Sequence, residues 1–315
     1  MSVRTRANPT GRVRAMKLSD AAKHSPFRVV RDAAFDDLAL LGANDGRVLV
    51  YAGDARSLER LGKTSAAVAV VTTAELAGGV PSSLGLATAD HPESAFYDLH
   101  RWLHRSSDFY WRDFATTIDP SARVHERAYV APRNVRIGAR VVVEPNATIL
   151  ERVAIGDDTI VRAGAVLGSE GFEFKGPAMR QGRKSRAEWD YGTTNVAVPH
   201  AGSVELGARV EVQANSTVDR SLFRVATRIG DDTKIDNLVH VAHSVRIGAR
   251  CLVAAGATLS GSVVVGDEVW IGPQVVISSG VRLGDRSAIV IGATITKDVA
   301  PGERVASDLH VYRLP

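Results

Sequence analysis

Ile229-Gly-Asp-Asp-Thr-Lys-Ile235-Asp-Asn-Leu-Val-His-Val241-Ala-His-Ser-Val-Arg-Ile247 opens a run with one beat. Every sixth position from Ile229 to Ile295 is a branched aliphatic: Ile229, Ile235, Val241, Ile247, Val253, Leu259, Val265, Ile271, Ile277, Leu283, Ile289 and Ile295. The residue after each is mostly small or turn-forming, as at Gly230, Asp236, Ala242, Gly248 and Gly266, and the residue two before is mostly apolar, as at Val239, Val245, Cys251 and Ala257. A strand alternates faces with period two, so both positions point inward and a corner follows. A six-residue period fits no helix; it is the hexapeptide repeat of a parallel β-helix, in which three hexads close a coil. Residues eighteen apart then stack at about 4.8 Å, the spacing of neighbouring strands. The same beat runs earlier through Ile137, Val143, Ile149, Ile155, Val161 and Leu167, and again through Leu206, Val212 and Val218. Two breaks interrupt it, a short loop near Arg220–Ala226 and an excursion over 168–203.

Outside that run the beat is absent. Residues 16–117 read as a small α/β domain, with strands at Arg47–Tyr51 and Ala66–Val71 and a short helix at Ala55–Leu61. A second helix opens at Pro92 and carries the apolar stripe Phe96, Leu99, Trp102 and Leu103. The β-helix is expected over 118–302, flanked by a mobile basic tail at 1–15 and an extended tail at 303–315. The chain has 315 residues and a net charge of +4 with scattered basic side chains, too modest a balance to argue for nucleic acid. No apolar run is long enough to span a bilayer, and the arginine-rich start has no apolar stretch of a secretory signal after it. Cys251, the single cysteine, falls on an inward position and reads as core; a lone cysteine is compatible with a cytoplasmic protein.

Chemistry has few places to sit. There is no Gly-x-Ser-x-Gly elbow and no cysteine on an outward position. His240 flanks the inward Val241 and points outward, and His243 sits at the corner beyond Ala242. Gly261 lies eighteen residues after His243, so the two stack on one edge of the prism. A corner imidazole titrates near neutrality and can take a proton from an attacking amine or hydroxyl. A glycine amide one coil above could face the oxyanion of the resulting tetrahedral intermediate. The plainer alternative is a solvated corner histidine beside a turn-forming glycine. A zinc site is not expected, because the two histidines diverge and no third falls at the stacking offset, whereas zinc needs three or four ligands. The basic excursion, with Lys175, Arg180, Arg183, Lys184 and Arg186, reads either as a solvated loop or as a flap over phosphate or an acyl chain.

The stretch Lys234–Gly248 resembles the UDP-3-O-acylglucosamine N-acyltransferases of lipid A biosynthesis, supported by Gly171-Phe-Glu-Phe174, Asn215-Ser-Thr-Val-Asp-Arg220 and Pro92-Glu-Ser-Ala-Phe-Tyr. The resemblance implies a left-handed β-helix and a homotrimer with active sites between subunits. It also implies transfer of a 3-hydroxyacyl chain from acyl carrier protein to the 2-amine of a UDP-linked sugar, with no bound cofactor. It places the catalytic base on His243, the oxyanion amide on Gly261 and sugar contacts on Asp236, Asn237 and His240. Phe172 and Phe174 fall in the family's Gly-Phe segment, and Tyr51 in the place of one of two uracil-clamping rings. Three departures stand out: Gly280 occurs where the family has a second histidine, Ser57 lies near the other expected ring, and the C-terminus is short for carrier-gripping helices. The last keeps open a coenzyme-A-dependent acetyltransferase acting on another nucleotide-linked amino sugar. A catalytically silent scaffold is the remaining alternative.

Overall fold

The computed structural model describes residues 15–175 and 194–306, in two compact units: Met1–Arg112 with Phe172–Ala201, and Asp113–Gly171 with Gly202–Pro315. The basic tail, Arg180, Arg183, Lys184, Arg186 and most of the C-terminal tail lie outside the described residues.

The larger unit is a three-sided prism of parallel strands. Its first face runs from Thr117–Ile118 to Arg282–Leu283, its second from Arg123–Val124 to Arg304–Val305, and its third from Tyr129–Val130 to Thr294–Ile295. Residues eighteen apart pair along the regular run, as in Lys234 with Leu252, His240 with Thr258 and Arg246 with Val264. The hexad aliphatics and the side chains two residues before them fill the interior: Ile235, Val241, Val245, Leu259, Val263 and Ile271 have no exposed surface. Cys251 is buried among them, and burial raises its thiol above the usual range. Burying each such side chain contributes about 1.5–3 kcal/mol against an exposed reference, and each coil covers only its neighbours.

Each corner needs one residue in the left-handed backbone region. On the edge between the first and second faces this position is taken by Arg140, Asp158, Arg209, Asp232, Arg250, Glu268 and Arg286, with φ between 56° and 61°. Left-handed backbone costs a non-glycine residue about 1–2 kcal/mol, a cost that packing and hydrogen bonds offset here. The charges alternate along the edge. Arg140 meets Asp158 at 2.6 Å, Arg209 meets Asp232 at 2.8 Å and Arg250 meets Glu268 at 2.8 Å.

Both interruptions leave from one edge, between the third and first faces. Register slips between Leu167 and Ser169, where Gly168 takes φ 87°, and the chain rejoins the prism at Ser203–Leu206. The shorter loop lies between Thr217–Asp219 and Ala226–Ile229.

The smaller unit is a five-stranded sheet in the order Arg28–Arg31, Gly85–Thr88, Ala67–Thr72, Val48–Ala52, Asp37–Leu38, parallel except for the first pair. The helix Ala55–Leu61 begins in a capping box: Asp54 accepts the Ser57 amide while the Ser57 hydroxyl accepts from the Asp54 amide. The helix Pro92–Ser106 buries Phe96, Leu99 and Leu103, and Trp102 stacks on His24 at 3.5 Å. The 168–203 excursion contributes to this unit an antiparallel pair, Phe174–Lys175 with Val196–Ala197.

Candidate active site

The strand His240–Val241 hands over to the corner Ala242-His243-Ser244 at the interrupted edge, with Ser244 in the left-handed region at φ 62°. Val241 is fully buried, so the alternation sends His240 outward on the third face, as the spacing predicts. His243 is half-buried at the corner, and its carbonyl accepts the Ser262 amide at 3.0 Å.

Gly261 sits directly on the His243 ring. A Cβ at Gly261 would lie 2.6 Å from both Cε1 and Nε2 of the imidazole. Its backbone is not left-handed, so the ring, rather than the fold of the chain, requires glycine there. At the same corner position on the other two edges some amides are tied to a neighbouring coil, whereas those of Asp157, Asp231 and Asp285, like that of Gly261, have no acceptor among the described residues. The amides of Ala139, Ala208 and Ala249 donate to Asp157, Asp231 and Asp267, and those of Ala163, Ala214 and Ala255 to Glu144, Asn237 and Asp236. Among the described residues no group accepts the Gly261 N–H. An open amide beside an imidazole edge is the pairing of donor and base that acyl transfer uses.

A carboxylate completes the cluster. Asp219 is 5% exposed, its Oδ1 accepts the Ser169 hydroxyl at 2.6 Å, and its Oδ2 lies 3.7 Å from His240 Nε2. The other nitrogen of His240 is 2.9 Å from Thr217 Oγ1. Burial lifts the Asp219 carboxyl above the usual range, offset in part by the Ser169 hydrogen bond and by His240 and His243. Reading the sequence for hexads overlooks Asp219 and Ser169, since both stand beside breaks in the beat. The one signal was Asp219's place in the Asn215–Arg220 stretch.

The remaining candidates lie elsewhere. Asp236 and Asn237 occupy the edge at the other end of the His240–Val241 strand. There they join coils: Asp236 accepts the Ala255 amide at 3.1 Å, and Asn237 the Ala214 amide at 3.1 Å. Gly280 falls in the column of Ser244 and Ser262, all left-handed, with open space where a side chain would start and its amide on the Gly261 carbonyl at 3.0 Å.

In the smaller unit Phe172 is 92% exposed, with its ring 5.0 Å from that of Phe174. The buried Lys175 next to them lies 3.1 Å from Glu93, 2.7 Å from Glu173 and 4.5 Å above the Tyr97 ring. Burial works against its charge, but the two glutamates outweigh it and hold the ammonium above its usual range. Tyr51 packs on Phe96 and Tyr97 at 5.1 and 6.1 Å, and burial, with Tyr97 and Glu93, pushes its phenol far above the usual range. Ser57 is held in its capping box. No group of three or more His, Cys, Asp or Glu side chains able to hold a metal occurs among the described residues, and none of their helices is long and apolar enough to cross a membrane.

A hexad-coiled parallel β-helix is the architecture of the hexapeptide-repeat transferases. The bacterial transferase hexapeptide (six repeats) model matches residues 134–169 and 226–261. The chain is 31% identical over 249 residues to the UDP-3-O-acylglucosamine N-acyltransferase of Caulobacter sp. (strain K31), covering 72% of this chain and 67% of that protein. It is 31% identical over 280 residues to the protein of the same name from Azorhizobium caulinodans, covering 76% and 72%. The chain belongs to the UDP-3-O-acylglucosamine N-acyltransferase family. Among solved structures, the UDP-N-acetylglucosamine acyltransferase of Bacteroides fragilis matches with 23% identity and a TM-score of 0.41, over 59% of this chain and 69% of that one.

Proposed function

We propose that this protein moves a 3-hydroxyacyl chain from an acyl carrier protein thioester to the 2-amine of a UDP-3-O-acylglucosamine-like sugar, as a homotrimer. In this reading His243 takes a proton from the amine as its nitrogen attacks the thioester carbonyl. The Gly261 N–H receives the oxyanion. As the intermediate collapses the C–S bond breaks, the amide remains on the sugar, and the imidazolium returns its proton to the departing thiolate. Asp236, Asn237 and His240 contact the sugar, while Phe172, Phe174 and Tyr51 serve the nucleotide and acyl ends. The observation that carries the reading is the Gly261 amide, open and stacked on the His243 ring.

The test offers purified protein UDP-3-O-acyl-glucosamine with equal 3-hydroxyacyl carrier protein and acetyl-coenzyme A, and reads products by mass spectrometry. A long-chain amide is expected. An acetylated sugar would move the protein to the coenzyme-A-dependent acetyltransferases, and no product from either donor would overturn the reading. His243→Ala should fold normally and lose about 10²–10⁴ in rate, the range of general base catalysis. A near-normal rate in that variant removes His243 from the mechanism.

A further inference from the structure

The imidazole of His240, three residues before His243, faces one buried carboxylate. Asp219 belongs to the strand Thr217–Asp219, which pairs with His240–Val241 one coil above, and it stands at the first interrupted corner before His243. The groups around its carboxylate can be named from every side. Ser169 approaches from the coil below, and His240 and His243 act on it from the coil above. The neighbouring charges are already paired, since Arg220 meets Glu170 at 2.7 Å. Ser221 and Ser244, hydroxyl to hydroxyl at 2.6 Å, line the same edge. A carboxylate so placed can do two things: select a tautomer by accepting from one ring nitrogen, and stabilise a positive charge on a ring nearby.

We propose that Asp219 is the positioning residue of this site: its carboxylate, fixed by Ser169 and 3.7 Å from His240 Nε2, is the anionic partner that favours the proton on that nitrogen. The Thr217 hydroxyl then donates to His240 Nδ1, so the outward imidazole has a partner on each side. This makes His240 a second oriented imidazole on the face next to His243, in a chain whose corner at Gly280 bears no side chain. The proposal rests on the acyl-transfer reading for its catalytic consequence, but the charge coupling is independent of any substrate.

The test therefore begins without substrate. The ring nitrogen shifts of His240, which report the nitrogen that carries the proton, are read by NMR of ring-labelled protein in the wild type and in Asp219→Asn. The wild type should show the proton on Nε2, and the preference should weaken in Asp219→Asn. Ser169→Ala, which keeps the carboxylate but frees it, should weaken it by less, and it gives the reading if Asp219→Asn does not fold. A tautomer left unchanged by both variants overturns the proposal. With substrate, KM should rise in Asp219→Asn, because His240 contacts the sugar, and Asp219→Glu should restore part of it. A fall in stability with an unmoved KM would make Asp219 structural only. A wild type that transfers nothing would end the acyl-transfer reading yet leave the NMR result standing.

Discussion

Two edges of the same prism are built from the same turn and put to opposite uses. On the edge between the first and second faces, every coil after the first supplies a glycine at the first corner position: Gly138, Gly156, Gly207, Gly230, Gly248, Gly266 and Gly284. There the corner amides of Ala139, Ala208, Ala249 and Asp267 donate to aspartates one coil on, and opposite charges face each other in the left-handed column. Polar groups are spent on joining coil to coil. On the edge between the third and first faces the repeat is broken twice, at 170–202 and 220–225, and past the breaks the left-handed column holds Ser244, Ser262 and Gly280. There Asp219 is buried and the His243 ring meets Gly261, while the carbonyls of His243 and Gly261 keep the bonds to the amides of Ser262 and Gly280. A solenoid stabilised by nearest-neighbour stacking can leave the side chains of a few corners out of its polar ladder and still fold. Those corners are where groups remain for a ligand.

The sharpest test of that contrast exchanges one glycine on each edge for alanine. A Cβ at Gly248 would lie 2.4 Å from the Gly266 carbonyl oxygen and 2.6 Å from its carbon, backbone that can move only if the coil moves. Gly248→Ala should therefore cost about 1–3 kcal/mol or more through overpacking, read as a lower denaturant midpoint. Its activity per folded molecule should be near that of the wild type. At Gly261 the obstacle is the imidazole itself, a side chain able to rotate away. Gly261→Ala should melt close to the wild type but lose about 10²-fold or more in kcat, because the added Cβ pushes the imidazole away from its place as base while the N–H stays. If Gly261→Ala instead loses stability and keeps its rate, the two edges do not differ in kind.

How much of this could be read from the chain follows from what each feature depends on. The prism was legible because its signal is local and repeated: Ile229, Ile235 and Val241 point inward for the same reason as Ile277, and every coil restates the rule. The stacking of Gly261 on His243 followed from the same arithmetic, since residues eighteen apart share an edge. The helices of the small unit were also in view, because a start such as Pro92 and the apolar stripe after it depend on a few neighbours. Asp219 was not. Its partner Ser169 lies fifty residues away across the long excursion, and no periodic rule survives that gap. Lys175 stood in a basic stretch open to two readings, a solvated loop or a flap, because the partners that bury it, Glu93 and Tyr97, come from a helix far back in the chain. Asp236 and Asn237 stood out as a corner pair, but which coils they join depends on three-dimensional register.

The smallest effect should come from the charged ladder itself. Arg209 and Asp232 are close, yet both are largely in water, where an ion pair gains little over its solvated parts and is screened by salt. Arg209 holds the Asp232 carboxyl below its usual range through a hydrogen bond and its charge, as Arg140 does for Asp158. A depressed carboxyl pKa stabilises the fold above the unfolded value and loses that contribution as pH falls through the folded value. The ladder should therefore matter at neutral pH and fade only in acid, below about pH 4. Asp232→Asn keeps the shape and the left-handed tolerance of the corner, so it isolates the charge. Its melting temperature should drop slightly in dilute buffer and match the wild type in 1 M salt, where screening acts over about 3 Å. A difference that persists in high salt would mean that hydrogen-bond geometry, rather than charge, ties the coils along this edge. Arg209→Lys would then separate the two, because a lysine keeps the charge and loses the paired contact that the guanidinium makes with both carboxylate oxygens.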